Sequence, residues 1–430
     1  MKYLMTILAA FAIVGNAAAF DKSVFVNVTN THSAPRKAVP VVVPVDANTK
    51  SACVMLDDKE IPCQLDDLND DGIYDELAFV TDMDKKETQS FVVVLSDEGT
   101  PREYPAVCYG ALAIRDRAEK NQKHVPISSV TFPASSNPYQ YIFPHGAVME
   151  NDMVGFRAYC DHRQSIDYYG HKNLKADIAE TAFYPTAEQK AAGAGDDVLW
   201  TGSTYGCGTL HAWDAQKGWS VMYDNVRNTT VEVVAQGPVR TILRIINRAW
   251  QPLKEFDPVD SKTTYTLYRG HRDVQVDIQY SHSIAGMSLS TGTVDIADPK
   301  GSEEYSDCKG LRGCWGTAYA GNNPAVYEIH TVGLAVCVPE EYYKDETRFG
   351  DMERDKIATM NEKTGKLNMP NQAYVSIVGT ETDHINYWFA ATCDMESFGF
   401  KDKKAWFSYL KDWKKELASP ATIEIIGRGR

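Results

Sequence analysis

Short runs in which apolar and polar residues alternate recur from one end of this sequence to the other. Ser23 to Val28 reads SVFVNV, and VVVPV (Val41 to Val45), ELAFV (Glu76 to Val80) and SFVVVL (Ser90 to Leu95) follow at short intervals. Side chains of an extended strand point to alternate faces, so each run predicts a strand with one face toward a core. Farther along come VEVVAQGPVRTILRIINRAW from Val231, TTYTLYRGHRDVQVDIQYS from Thr263, VGLAVCVP from Val332, AYVSIVG from Ala373 and INYWFAATC from Ile385. RGHRD lies between two alternating runs as a hairpin loop would. Helical spacing is clear only in KKAWFSYLKDWKKEL, which puts Trp406, Leu410, Trp413 and Leu417 on one face. Many strands without βαβ alternation predict an all-β chain with antiparallel sheets and one short C-terminal helix. The charged, proline-containing DEGTPREYP (Asp97 to Pro105) reads as a linker. It would close a small N-terminal β-sandwich over residues 20–100, ahead of a large antiparallel domain over residues 106–430.

At 43% hydrophobic and 11% aromatic, the 430 residues suffice for large cores. The opening MKYLMTILAAFAIVGNAAAF joins Lys2 to an apolar run with an A-x-A pattern at Ala17 to Ala19. That predicts a signal peptide over residues 1–19 and a mature chain exported to the periplasm or beyond. No later run approaches the ~20 apolar residues of a membrane span. A net charge of −14 with scattered Lys and Arg excludes a nucleic-acid partner, though a few convergent cations can still bind an acidic sugar. The nine cysteines include two close pairs, Cys53 with Cys63 and Cys308 with Cys314, and no C-x-x-C. Disulfides and buried thiols both fit an exported chain.

The acidic stretch DDLNDDGIYDE places Asp67, Asn69, Asp71 and Asp75 at positions 1, 3, 5 and 9 of a calcium-loop pattern, with Gly72 at its turn. The twelfth position is Ala78, and the flanks are strands, so this is no EF-hand. A structural calcium and an Asx-type turn are both compatible with it.

Chemistry-bearing residues are densest in HGAVMENDMVGFRAYCDHRQSIDYYGHK, His145 to Lys172. Alternation turns Val154, Phe156, Ala158 and Cys160 to a core and Arg157, Tyr159 and Asp161 to the opposite face. With His162, Arg163, Gln164, Asp167 and Tyr169, that face could bind a polyhydroxylated acid, or be a solvated face laced with salt bridges. TYGCGTLHAW adds Tyr205 and His211, its glycines allowing close approach by a ligand or a neighbouring strand.

This segment resembles the exported bacterial proteins grouped as domain of unknown function 4861. The likeness is carried by HG at His145, Glu150 with Asn151, the R-x-Y-x-D-x-R run from Arg157 to Arg163 and I-D-Y-Y-G from Ile166. It extends to the acidic N-terminal segment, to TGSTYGCGTLHAWD and to the aromatic helix ahead of Pro420. Where family members read G-K after the aromatic pair, this chain has Gly170, His171, Lys172. The resemblance implies a supersandwich of the galactose-mutarotase and polysaccharide-lyase kind, in bacteria that degrade glycans.

An acidic glycan directs attention to uronates, whose β-elimination needs a base for the C5 proton, a cation or donor for the enolate, and an acid for the departing C4 oxygen. His145, Arg157, Tyr159, Arg163 and Tyr169 supply these types and are the expected catalytic set, with Glu150, Asn151, Asp161, His162, Asp167, Tyr205 and His211 around the substrate. Loss of water or cleavage would follow from what C4 carries, and no cofactor is required. Glycoside hydrolysis by paired carboxylates among Glu150, Asp161 and Asp167 is the alternative. A non-catalytic glycan-binding protein with aromatic platforms at Trp200, Trp213 and Trp219 is another.

Overall fold

The computed structural model describes residues 22–115, 124–296, 302–349, 359–368 and 372–429. The expected signal peptide lies outside them. Sheets dominate, they are mostly antiparallel among the described residues, and the chain divides into two compact units.

The first unit packs a five-stranded sheet on a three-stranded one. Val24, Val26 and Val28 from the strand Lys22–Thr29 meet Val39, Val41 and Val43 from Arg36–Pro44, with Leu77, Phe79, Phe91 and Val93 completing the core. These are the residues that alternation turned inward. The unit is not contiguous: it runs to Ala106 and takes in Gly237–Arg240 and the chain from Ser419. The last strand, Thr422–Gly429, pairs antiparallel with Lys22–Thr29, which corrects the expectation that everything beyond residue 106 forms the second domain. Arg240 joins the unit through ion pairs to Asp66 and Glu76, and Gln64 accepts the Val239 amide at 3.0 Å.

The second unit contains a nine-stranded, a six-stranded and a five-stranded sheet. One continuous core draws on all three: Phe156, Ala158 and Tyr168 from the six-stranded sheet, Val276, Ile278 and Phe389 from the nine-stranded, and Leu210 and Leu289 from the five-stranded. Val259–Tyr268 and Asp273–Tyr280 form the hairpin expected around RGHRD. The helix Lys403–Leu417 begins at Asp402, whose carboxylate accepts the Ala405 amide at 2.9 Å. Its buried Trp406, Leu410 and Trp413 pack on Leu311, Ala335, Cys337 and Ala390, as the stripe predicted. No helix among the described residues is long and apolar enough to cross a membrane.

All nine cysteines are free thiols, so neither close pair is bridged. Only Cys308 is exposed. Burial pushes the others up, Cys160 to about 12, which leaves them protonated and unreactive.

Candidate active site

The six-stranded sheet runs in the order Asp196–Asp197, Ile166–Gly170, Val154–Tyr159, Ile142–Glu150, Tyr109–Arg115, His124–Pro126. On Val154–Tyr159, Phe156 and Ala158 enter the core, and Arg157 and Tyr159 take the other face. Cross-strand pairing sets Arg157 opposite Asp167. Between Ile142–Glu150 and Tyr109–Arg115 the register slips: Phe143 faces Ala113, but Val148 faces Ala111, so Pro144 to Ala147 are set against Leu112 alone. Such a bulge re-aims side chains, and here it throws out His145, held at φ +70° in a region that β-carbon-bearing residues seldom occupy.

Arg157 anchors the floor. Its Nη2 pairs with the Asp167 carboxylate, donates to the Tyr159 hydroxyl at 2.8 Å and reaches Asp197 Oδ2 at 3.5 Å; its Nη1 donates to Tyr184 Oη and to the Pro144 carbonyl at 3.2 Å. The guanidinium also lies 4.1 Å from the Phe183 ring, and Arg157 is only 2% exposed. The expectation of Arg157 as a cation facing the substrate's enolate is therefore corrected: its charge is satisfied by the Asp167 carboxylate and sealed from solvent. Tyr159 donates to Asp167 Oδ2 at 3.0 Å, and burial pushes its phenol well above the ordinary range, so it is a proton donor at neutral pH. Burial, reinforced by the Asp167 carboxylate beside it, likewise pushes Asp197 far up toward the neutral acid.

Above this floor His145 stacks on Tyr139, centroids 3.9 Å apart, and Tyr159 lies 6.0 Å from the same ring. His145 Nδ1 is 2.7 Å from the Tyr139 carbonyl, which can only accept, so Nδ1 carries the proton. Nε2 then carries the lone pair, and Arg115 Nη2 stands over the ring, 3.1 Å from Nε2 and 3.4 Å from Nδ1. Burial and the positive charges of Arg115, Arg157 and Arg163 hold the imidazole below its ordinary pKa and therefore neutral. Arg163 is clamped by Asp161 through Nε at 3.0 Å and Nη2 at 2.6 Å, with its guanidinium 4.7 Å from the Tyr159 ring. The constellation opens to solvent through His145, Tyr139, Arg163 and Tyr184. Beside it a cavity of about 280 Å³ is lined by Asn137, Asp161, His162, Tyr223 and Asp224.

His145, Arg157, Tyr159, Arg163, Asp161 and Asp167 thus come together, with His162 on the adjoining cavity. The other expected residues do not. Tyr169 is buried, donating to Asp177 Oδ1 at 2.9 Å and packed on Phe183 and Ile178. Glu150 is sealed, accepting His171 Nε2 at 2.8 Å and the Asp177 amide at 2.7 Å. Asn151 donates to the Tyr268 carbonyl at 2.5 Å and accepts the Val154 amide, tying a turn together. Tyr205 donates to Ser290 Oγ at 2.8 Å in a separate core cluster, and His211 donates from Nε2 to the Arg163 carbonyl at 2.7 Å. The glycines around Tyr205 serve a neighbouring strand: a Cβ on Gly206 would stand 2.0 Å from the Ile166 carbonyl oxygen. Of the aromatic platforms, Trp213 is buried and Trp219 is half exposed on the short strand Trp219–Val221. Sequence reasoning missed Arg115, Tyr139, Tyr184 and Asp197. Their only local signals were an Arg ending a strand run, aromatics beside prolines and the DD of GDDVLW.

The proposed hydrolytic pair also lacks its geometry. Glu150 is enclosed, Asp161 is held by Arg163 and Asp167 by Arg157, so no two of the three flank an open space. Two groups could be considered for a metal. In the acidic loop, Asp67 accepts the Asp70 amide at 2.7 Å through Oδ1 and the Gly72 amide at 2.7 Å through Oδ2, Asn69 accepts the Asp71 amide, Asp71 that of Ile73 and Asp75 that of Leu68. These are Asx turns, built on the same side chains that the calcium-loop pattern names. Glu150, His171 and Asp177 cluster in the interior, but Asp177 already accepts Tyr169 and the Gly195 amide, and Glu150 accepts backbone amides and His171. Both sets are arranged as hydrogen-bond networks.

Among curated proteins, none matches this chain. Two solved structures resemble it at 10% identity and a TM-score of 0.42: a protein in the Glycosyl Hydrolase Family 38 from Enterococcus faecalis, over 94% of this chain and 47% of that one, and an alpha-mannosidase from Enterococcus faecalis V583, over 95% and 46%. The chain thus spans about half the length of each. A family model matches residues 28–423, nearly the whole described chain, and by that match the protein belongs to the family described as Domain of unknown function (DUF4861).

Proposed function

We propose that this protein is an exported carbohydrate-active enzyme that performs β-elimination on a uronate residue of an oligosaccharide. The observation that carries the reading is the pairing of a neutral His145, fixed with its proton on Nδ1, with a protonated Tyr159 beside the same Tyr139 ring. One is a base and the other an acid, which elimination requires. In the reaction His145 Nε2 takes the C5 proton, and the C5–H electron pair becomes the C4=C5 double bond. The C4–O bond breaks with its electrons on oxygen, which takes the Tyr159 proton. A hydroxyl at C4 leaves as water and a glycosidic oxygen leaves with its sugar; proton exchange with solvent returns both side chains to their starting states. Arg157 supports the phenol by donating to its oxygen, stabilising the phenolate that forms. The adjoining cavity of about 280 Å³, lined by hydroxyl-binding groups, supports an oligosaccharide over a single sugar.

The test is turnover of uronate oligosaccharides, followed by ultraviolet absorbance of the new double bond and by mass. Tyr159→Phe, which keeps the ring and removes the proton, is expected to lower kcat by about 100-fold or more while leaving the melting temperature within a few degrees. New reducing ends without absorbance, or full activity in Tyr159→Phe, would refute the reading.

A further inference from the structure

We propose that the cavity beside the constellation of His145 and Tyr159 holds the sugar next to the uronate, that it takes an uncharged sugar, and that Asp224 is the residue that turns an acidic one away. The inference rests on the elimination reading for what occupies the neighbouring position, whereas the selectivity is read from the lining of the cavity.

The cavity adjoins the constellation through two stretches of chain. Asn137 and Pro138 lead into Tyr139, on which His145 stacks, and Asp161 and His162 lead into Arg163. Its volume of about 280 Å³ is at the lower end of ligand sites, which begin at roughly 300 Å³, so it has room for one sugar ring. The walls suit such a ring. Half-buried Phe132, with Pro133 and Pro138, offers apolar surface to its C–H face. Asn137, whose Oδ1 accepts the Tyr139 amide at 3.1 Å, keeps its Nδ2 hydrogens for a hydroxyl.

Charge decides which sugar. Among the described residues no lysine or arginine lines the cavity, and two carboxylates do. Asp161 is matched by Arg163, whose Nε lies 3.0 Å from both of its oxygens. Asp224 is not matched in this way. Its one ion-pair partner among the described residues is His162, at 3.9 Å from Nε2 to Oδ1, a group that is charged only when protonated, and both side chains are exposed. A carboxylate on the incoming sugar would meet Asp224 with no guanidinium or ammonium to offset the repulsion and no fork to replace its lost water. An uncharged sugar meets the same group as an acceptor for its hydroxyls, and a hydroxyl bonded to a carboxylate is of the stronger, charge-assisted kind. Screening confines a charge to about 8 Å at physiological salt, so the net −14 of the whole chain does not decide the matter, whereas a carboxylate lining so small a cavity does. The preferred substrate is therefore a uronate joined to a neutral sugar, and a run of consecutive uronates is disfavoured.

The test uses three disaccharides as probes: D-glucuronate linked to D-glucose in either order, and D-glucuronate linked to itself. Binding is measured by calorimetry on the full chain carrying Tyr159→Phe, which keeps turnover low, alone and with Asp224→Asn or Asp224→Lys, both of them changes to an exposed side chain. At least one mixed disaccharide is expected to bind about tenfold or more tightly than the all-uronate one. Asp224→Asn should shrink that preference, Asp224→Lys should abolish or reverse it, and added salt should weaken it. An all-uronate disaccharide bound as tightly as both mixed ones, no binding of either mixed one, or a preference that Asp224→Lys leaves unchanged would each overturn the proposal. Preference for a mixed disaccharide without any unsaturated product from the native sequence would uphold the cavity assignment and sink the elimination reading. Unsaturated product formed equally well from all three would do the reverse, so the two fail separately.

Discussion

His211 has no place in the proposed chemistry, yet its burial sets a measurable property of the chain. The imidazole is wholly enclosed, donates from Nε2 to the Arg163 carbonyl and keeps Nδ1 buried without a partner. Burial, with His162 adding to it, pushes its pKa from 6.5 to about 4. The folded state binds this proton less readily than the unfolded state. The contribution to stability is therefore complete above about pH 6.5 and is lost as pH falls toward about 4, a swing of roughly 3 kcal/mol. Denaturant midpoints measured across that window should fall steeply in the native sequence and less steeply in His211→Gln, whose amide can still donate to the Arg163 carbonyl. Equal slopes would show that His211 is not the group responsible. The same residue shows what a linear reading can and cannot supply. Its type suggested a site, but whether a histidine meets a substrate or a carbonyl depends on the Arg163 backbone 48 positions away. Arg157 is the complementary case: alternation correctly put it on the face away from Phe156, but period 2 does not reveal that Phe183 and Tyr184 then cover that face.

Among the elements, the helix Lys403–Leu417 was legible because its signal is repetitive: Trp406, Leu410 and Trp413 recur at helical spacing over several turns, and each is buried. The bulge at Pro144 to Ala147 was not legible, since HGAVME continues the strand pattern and only the pairing with Tyr109–Arg115 shows the slip. Regular elements announce themselves through period, whereas an interruption of pairing exists only between two strands. For the helix this leads to a graded expectation. Trp406→Ala should cost about 3–5 kcal/mol by opening a cavity against Leu311 and Ala335, and Asp402→Ala about 1 kcal/mol by removing the cap on the Ala405 amide. Urea unfolding measures both, and equal losses would mean that the helix is held by its cap and not by its packing.

For the molecule as a whole, the consequential pairing is that of Thr422–Gly429 with Lys22–Thr29. A chain ending at Ala418 keeps every strand of the second unit but leaves Lys22–Thr29 as an open edge. It should unfold in two steps, the first unit melting at clearly lower urea than the second, where the full chain keeps its first unit to higher urea. Limited proteolysis between residues 22 and 106 would report the same change. An unchanged first transition would mean that the final strand adds nothing to the sheet it completes.

That pairing also imposes an order on biosynthesis. The strand Lys22–Thr29 finds its outer neighbour only when Thr422 has been made, and at ~5–20 residues per second that delay is tens of seconds. The second unit, whose strands lie wholly within the interval, has all that time to assemble, so the five-stranded sheet of the first unit is finished after it although most of its strands are made before it. Until then its Val-rich edge is a template for any other extended chain, and the nascent protein depends during that interval on whatever holds such edges apart.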